Sequence, residues 1–178
     1  MRHIPNIISV IRIVLVVPIA MALAEQRLSL AVVLFFIAAA SDGIDGYLAR
    51  RFGWQSALGG VLDPIADKFL LATVFVTLAY LKLVPLWLVI AAVGRDIIIV
   101  AGAIAYRVFI GPVTAHPSLL SKINTFCQAA YILIVLSREK FSEPAEWVAI
   151  WLGALVFATV IISGIDYVSV YGKRAAAA

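Results

Sequence analysis

The sequence predicts an all-α, polytopic membrane protein in which six transmembrane helices enclose a polar site at the cytoplasmic face. Of its 178 residues, 64% are of apolar types and 13% are charged, whereas soluble domains average about half apolar and a quarter charged. The mean hydropathy is correspondingly high, at +1.08. Apolar runs of roughly 20 residues, the length needed to cross a bilayer, recur along the chain between short polar connections.

Each apolar run predicts one helix. The predicted helices span residues 4–24, 28–49, 58–81, 86–109, 119–137 and 147–171. Pro5 suits the first turn of a helix. The first run also resembles a signal peptide with a cleavage site at Ala22 to Ala24, but Arg12 in its middle favours a retained helix. We expect one domain over 1–174 and a short alanine tail over 175–178.

The charges predict orientation and exclude some partners. With six spans, one side of the membrane would hold Arg2, Arg50, Arg51, Arg107, Lys122, Lys173 and Arg174, and the other Arg27, Lys82, Arg138 and Lys140. This bias favours a cytoplasmic location for the first side. The net charge of +4 suits contact with anionic lipid. The sequence contains no basic helix with interleaved aromatic residues, so nucleic-acid binding is not predicted. The single cysteine, Cys127, excludes a disulfide framework and is interpreted as a packing residue.

Four aspartates lie where the second and third predicted helices adjoin. Asp42 and Asp45 are three residues apart, and Asp63 and Asp67 are four apart, so each pair lies on one helix face. Carboxylates near a bilayer are costly, and four of them would repel one another unless a cation held them. Ligand sets made only of oxygen atoms select magnesium, manganese or calcium.

Small residues and arginines accompany the aspartates. Gly46, Ala49, Gly59 and Gly60 leave room for a ligand or another backbone to approach closely. Arg50 and Arg51 add positive charge one turn after the first aspartate pair. Carboxylates, a divalent metal, small residues and arginine together suit a diphosphate, because the metal can bridge protein carboxylates and phosphate oxygens.

Eight positions carry a family resemblance. They fill the pattern D-x2-D-G-x2-A-R-x8-G-x3-D-x3-D and are Asp42, Asp45, Gly46, Ala49, Arg50, Gly59, Asp63 and Asp67. In this stretch the chain resembles the CDP-alcohol phosphatidyltransferases. The resemblance implies transfer of a phosphatidyl group from CDP-diacylglycerol to a lipid or small alcohol, with release of CMP. It also implies two Mg²⁺ or Mn²⁺ ions and a homodimer.

The resemblance assigns roles to individual residues. The implied metal ligands are Asp42, Asp45, Asp63 and Asp67, and Asp67 is also the candidate general base. The implied CDP-binding residues are Gly46, Ala49, Arg50, Gly59 and Asn6, the last of which could instead be a plain helix cap. The resemblance also places Arg12 in the site, as an acceptor-binding residue. Because the motif has no Cys or His beside it, we expect direct displacement without a covalent enzyme intermediate.

Two further cations are candidates for the acceptor site. Arg95 is predicted to bind an acceptor phosphate while Asp96 orients it, although a structural ion pair is the alternative. Adjacent helical residues point about 100° apart, so we expect each of these two to have its partner on another helix. Lys122 is predicted to be a second acceptor-binding cation, or alternatively a lysine that extends to the membrane interface. A polar stripe of Asn124, Thr125 and Gln128 favours a site-facing surface for this helix.

The acceptor alcohol separates two branches of the resembled family. The segments around Arg95 and Lys122 are more similar to the branch that joins CDP-diacylglycerol to phosphatidylglycerol, giving cardiolipin. The alternative acceptor is glycerol-3-phosphate, giving phosphatidylglycerophosphate. Inositol and serine acceptors are less favoured alternatives. A phosphate monoester should need more cations than this chain offers. An ion- or proton-coupled transporter is the distant alternative, disfavoured because the aspartates cluster at one face. The predicted location is multi-pass in a bacterial inner membrane.

Overall fold

The computed structural model describes most of the chain. Its backbone is described over residues 4–52, 59–109, 119–142 and 144–176. Its side chains are described over residues 7–41, 65–102, 119–142 and 144–169.

Within the described ranges the protein is all-α, with six helices in chain order. They are α1 (Ile4–Ala24), α2 (Leu28–Phe52), α3 (Gly59–Tyr80), α4 (Leu86–Phe109), α5 (Leu119–Phe141) and α6 (Glu146–Ala176). The predicted bounds of α1 and α4 are confirmed, and those of α3 differ by one residue at each end. The predicted loop over 111–118 lies outside the described residues.

Three helices run further than their apolar runs. The predictions ended α2 near Ala49 and α5 at Ser137, but the helices continue to Phe52 and Phe141. The extensions contain Arg50 and Arg51 in α2 and Arg138 to Lys140 in α5, and Arg, Glu and Lys are good helix formers. α6 likewise extends to Ala176, so part of the predicted alanine tail is helical. Hydrophobicity marks where a helix leaves the bilayer, not where the helix ends.

The end of the bundle opposite the aspartate motif is closed by helix caps with a left-handed residue. Gln26 and Lys82 have φ of 57° and 59°. At both caps two backbone bonds close the turn, Gln26 N–H to Leu23 O and Arg27 N–H to Ala22 O in the first. This is the Schellman arrangement, which satisfies the last carbonyls of a helix. At the end of α5, Ser142 has a φ of 58° and its N–H donates to Arg138 O.

The helices pack as a closed ring. Contacts run from α2 through α1, α3, α4, α6 and α5 and back to α2, and α3 also meets α2 and α5 across the ring. The apolar core contains fully buried side chains from several helices, among them Ile19, Phe35, Val74 and Ile132. α3 and α5 therefore bring their side chains toward the middle of the bundle, which is where polar residues of the site would be enclosed.

The outer surface of the described helices is strongly apolar. Phe36 on α2, Ile90 on α4, Phe126 on α5 and Trp151 on α6 are between 59% and 74% exposed. Soluble monomers rarely expose contiguous apolar surface on this scale, and a lipid environment explains it. Among the described residues, three stretches are long and apolar enough to cross a membrane: Ile7–Ala24, Leu119–Phe141 and Glu146–Ser169.

Candidate active site

The aspartate motif lies on two helices that meet at one end of the ring. The C-terminal part of α2 contains Asp42, Asp45, Gly46, Ala49 and Arg50, and the N-terminal half of α3 contains Gly59, Asp63 and Asp67. α2 and α3 contact each other, so the two aspartate pairs come from neighbouring helices. Apart from that of Asp67, the side chains of these residues, and that of Asn6 at the start of α1, lie outside the described residues.

Asp67 connects the motif to a second group of charges. Its side chain is partly buried, and Asp67 has an interaction partner. The next residue, Lys68, points into a charged group formed with α4, described below. Among the described residues no cluster of three His, Cys, Asp or Glu side chains forms, and three of the four predicted metal ligands lie outside them. A ligand set made only of carboxylates still fits Mg²⁺ or Mn²⁺ by its chemistry.

Three helices meet in what we call the Arg95 cluster, comprising Lys68, Arg95, Asp96 and Ser121. Lys68 Nζ and Arg95 Nη1 both donate to Asp96 Oδ1, each at 2.6 Å. Arg95 Nη2 donates to Ser121 Oγ at 3.1 Å. The side chains of Arg95, Asp96 and Lys68 are 6%, 17% and 26% exposed. The cluster therefore links α3, α4 and α5 and contains two cations for one carboxylate.

The expectation that Arg95 and Asp96 would not pair with each other is wrong. They do pair, because the long arginine stem lets the guanidinium turn back toward the carboxylate of the next residue. The expectation that each also has a partner on another helix is confirmed, by Ser121 for Arg95 and by Lys68 for Asp96. Arg95 Nε is buried and has no hydrogen-bond partner within the described residues, so the guanidinium keeps one donor for a further acceptor.

The other predicted acceptor-binding residues differ in burial. Arg12 is 0% exposed, and so is Ser9 one turn earlier on α1; both have interaction partners. A fully buried guanidinium is tolerated only with compensating partners, so α1 turns a polar surface toward the interior. Lys122, by contrast, is exposed, and no described contact joins it to the Arg95 cluster.

A polar column continues from the Arg95 cluster along α5. Ser121, Asn124 and Gln128 follow one another at helical spacing, and the last two are 0% and 2% exposed. Asn124 Oδ1 lies 3.0 Å from the Thr159 hydroxyl of α6. Asn124 Nδ2 and Gln128 Nε2 have no acceptor within the described residues. Buried polar groups are costly without partners, so we expect these donors to face water or ligand oxygens.

The family is decided by comparison with known proteins. The model of the CDP-alcohol phosphatidyltransferase family matches residues 2–161, which include all eight motif positions. The chain belongs to the CDP-alcohol phosphatidyltransferase family. The match also covers Lys68, Arg95, Asp96 and Ser121, so the Arg95 cluster lies inside the family domain.

Several curated phosphatidyltransferases are similar to this chain. Cardiolipin synthase (CMP-forming) of Homo sapiens is 32% identical over 78% of the chain. The CDP-diacylglycerol–glycerol-3-phosphate 3-phosphatidyltransferase of Bacillus subtilis is 36% identical over 77% of the chain. A probable phosphatidylglycerophosphate synthase of Mycobacterium tuberculosis is 30% identical over 94% of it. The chain spans 52% of the human relative's length, 70% of the Bacillus one's and 80% of the mycobacterial one's.

Sequence reasoning missed part of the arrangement. The sequence patterns assign no role to Lys68, although it follows Asp67 directly, or to Ser121. The available signal was energetic: a lysine inside an apolar helix is expensive and marks a partner or a function. Ser9 and Thr159 gave no such signal, because small hydroxyl residues occur in membrane helices without a role in a site.

Proposed function

We propose that this phosphatidyltransferase joins the phosphatidyl group of CDP-diacylglycerol to phosphatidylglycerol, giving cardiolipin and CMP. The supporting observation is the Arg95 cluster, whose member Lys68 follows Asp67 directly. Its two cations and one carboxylate, Lys68, Arg95 and Asp96, sum to a net charge of about +1 in a partly buried setting. The phosphodiester of phosphatidylglycerol carries one negative charge. The one buried Arg95 donor that lacks a partner within the described residues is suited to one of its oxygens.

The charge of the cluster argues against a phosphate monoester. A monoester carries about −1.5 to −2 charges at neutral pH, so glycerol-3-phosphate would leave negative charge uncompensated beside the aspartates. Asp96 already neutralises one of the two cations, through 2.6 Å contacts to both. Lys122 could supply more charge, but its exposure places its ammonium where water competes for it.

The chemistry assigned to the motif is direct displacement at phosphorus. Asp42, Asp45, Asp63 and Asp67 would hold Mg²⁺ or Mn²⁺, as two ions, which would neutralise charge on the diphosphate oxygens when bound. Asp67 would take the proton of the acceptor hydroxyl. The hydroxyl oxygen forms a bond to the phosphorus next to diacylglycerol, and the bond from that phosphorus to CMP breaks. Gly46, Ala49, Arg50, Gly59 and Asn6 would hold the CDP portion.

We further propose that all six helices cross the bilayer, with the site at its cytoplasmic side, and that two copies form a homodimer. The three apolar spans and the lipid-like outer surface support membrane embedding. The positive charges counted above favour the cytoplasmic orientation, and the homodimer rests on family resemblance. In this position a water-soluble nucleotide can leave to the cytosol while the acyl chains stay in the membrane.

The second candidate is transfer to glycerol-3-phosphate. The 36% identity to the Bacillus enzyme named for that acceptor favours it. Family membership leaves the transporter alternative without support.

An acceptor panel distinguishes these functions. The purified protein, in detergent with Mg²⁺ and labelled CDP-diacylglycerol, is offered phosphatidylglycerol, glycerol-3-phosphate, myo-inositol phosphate or serine, and the lipid product is identified by mass. We expect CMP release that depends on phosphatidylglycerol and a product with the mass of cardiolipin. CMP release only with glycerol-3-phosphate would establish the second candidate. If none of the acceptors in the panel caused CMP release, both candidates would be removed.

A further inference from the structure

An apolar cavity opens between α4 and α6, beside the Arg95 cluster. We call it the α4–α6 slot. It has a volume of about 380 Å³ and is lined by α4 residues from Ile90 to Ile99 and α6 residues from Val160 to Val168. Among the described residues that line it, Arg95 is the only charged one. The volume is in the range of roughly 300 to 1,000 Å³ that is typical of ligand sites.

Two glycines keep the slot open. A Cβ added at Gly94 would meet nothing within 4 Å, and one added at Gly164 would meet the stem of Arg95, at 3.8 Å from its Cγ. The stem of Arg95 therefore lies along the slot, while its guanidinium reaches Asp96 and Ser121. One arginine thus joins an apolar cavity to a positively charged group.

The slot faces the surrounding lipid and has the length of a leaflet. Ile90, Ile98 and Ile165 on its rim are 60% to 65% exposed, on the surface that we assign to the bilayer. From Ile90 to Ile99 a helix rises about 14 Å, close to half of the roughly 30 Å hydrocarbon thickness. Arg95 lies near the middle of this length, so a phosphate at its level leaves about 8 Å of slot toward Ile90, which holds the first part of an acyl chain.

We propose that the α4–α6 slot holds an acyl chain of the acceptor phospholipid, whose phosphate is bound by Arg95. The inference rests on the proposed function and adds to it the route by which this acceptor is recognised. The acceptor would enter sideways from the membrane between α4 and α6, its headgroup hydroxyl pointing toward Asp67. A water-soluble acceptor would have no use for the slot, so the enzyme would select a lipid acceptor by its tail as well as by its charge.

A graded series at Gly94 tests the proposal. Gly94→Ala, Gly94→Leu and Gly94→Phe fill the slot progressively, starting from a position where an added Cβ meets no atom within 4 Å. Circular dichroism and the elution volume in detergent check that each variant is folded. Val100→Phe is the matched control, since Val100 is 42% exposed on the same helix and does not line the slot. The measurement is kcat/KM for dioleoyl-phosphatidylglycerol and for glycerophosphoglycerol, which has the same headgroup but no acyl chains, together with the KM for CDP-diacylglycerol.

We expect kcat/KM for the long-chain acceptor to fall with the size of the residue at position 94, by roughly tenfold at Phe, the loss expected when about two methylene groups lose their contacts. The kcat/KM for the tail-less acceptor should change little, and so should the KM for CDP-diacylglycerol. The Val100→Phe enzyme should keep the wild-type values for both acceptors. An equal loss for both acceptors, no loss, or a change confined to CDP-diacylglycerol would overturn the proposal. A wild-type enzyme that makes no cardiolipin would instead overturn the proposed function.

Discussion

Charged side chains are arranged differently at the capped end of the bundle and in the Arg95 cluster. At the capped end, Arg27 pairs with Glu25 and Arg138 with Glu146, at 3.0 and 3.3 Å, and most of these side chains are at least 49% exposed. Each of these two arginines has its own carboxylate, in an exposed setting. In the Arg95 cluster, two cations share one carboxylate oxygen and the most exposed of the three side chains is 26% exposed.

The difference indicates which charges stabilise and which are kept for a ligand. Exposed ion pairs contribute about 0 to 1 kcal/mol, and replacing them changes little. Buried charge is expensive, and apolar residues of similar size often stabilise a protein as well or better. Within the described residues the Arg95 cluster has one more cation than carboxylate. Stability does not require this excess of positive charge, whereas an anionic substrate would balance it.

The largest expected effect on activity is that of Asp67→Asn, beside the Arg95 cluster. The amide keeps the size of the side chain but cannot take a proton, so turnover should fall by about 10² to 10⁴-fold, the usual contribution of a general base. The helical content by circular dichroism and the elution volume in detergent should match the wild type. Full activity in this variant would remove the base assignment, and a loss of helical content would show that Asp67 is structural.

Arg95→Gln removes one of the two cations of the Arg95 cluster and should have the next largest effect. A hydrogen bond to a charged group contributes about 1.5 to 3 kcal/mol, so kcat/KM for the acceptor should fall by roughly 10 to 100-fold while the KM for CDP-diacylglycerol changes little. Arg95→Lys should recover part of the loss, because a lysine keeps the charge but cannot reach Asp96 and Ser121 together. Equal losses for donor and acceptor would show that Arg95 only supports the packing of α4.

Lys122→Ala should have a smaller effect than Arg95→Gln. Lys122 is exposed, and its attraction for an anion is screened by water and salt. We expect a change of a few-fold in acceptor use at low ionic strength, larger than the change in CDP-diacylglycerol use and reduced by added salt. If donor and acceptor use declined equally, Lys122 would not be an acceptor contact.

Much of the fold could be predicted because hydrophobicity alone defines spans in a chain of this composition. The bounds of α1 and α4 followed from their apolar runs and from Pro5 and Pro85. The ends of α2 and α5 could not be predicted in this way, since helix-forming charged residues carry the backbone beyond the apolar segment. The end of α5 depends on the cap at Ser142, whose left-handed conformation is not typical of serine.

The sequence predicted the residues of the motif but not the contacts between side chains on different helices. Spacing along one helix placed Asp67 and Arg95 correctly on α3 and α4, yet only the packing of three helices brings Lys68, Asp96 and Ser121 together. The prediction that Arg95 and Asp96 point apart used backbone geometry and ignored the reach of a long side chain. Cross-helix contacts of this kind depend on helix rotation and depth, which a single sequence does not determine.

The smallest expected effect is at the capped end, where substitutions in the exposed pair of Arg138 and Glu146 should change little. Arg138→Gln and Glu146→Gln each remove one member of a pair that is 37% and 70% exposed. Each should change the free energy of unfolding by less than about 0.5 kcal/mol and leave kcat/KM for both substrates unaltered. The double variant should equal the sum of the two single variants in a thermal-unfolding cycle in detergent. A coupling as large as that of a buried pair would mean that this end also holds charge tightly, and the contrast with the Arg95 cluster would then no longer distinguish structure from function.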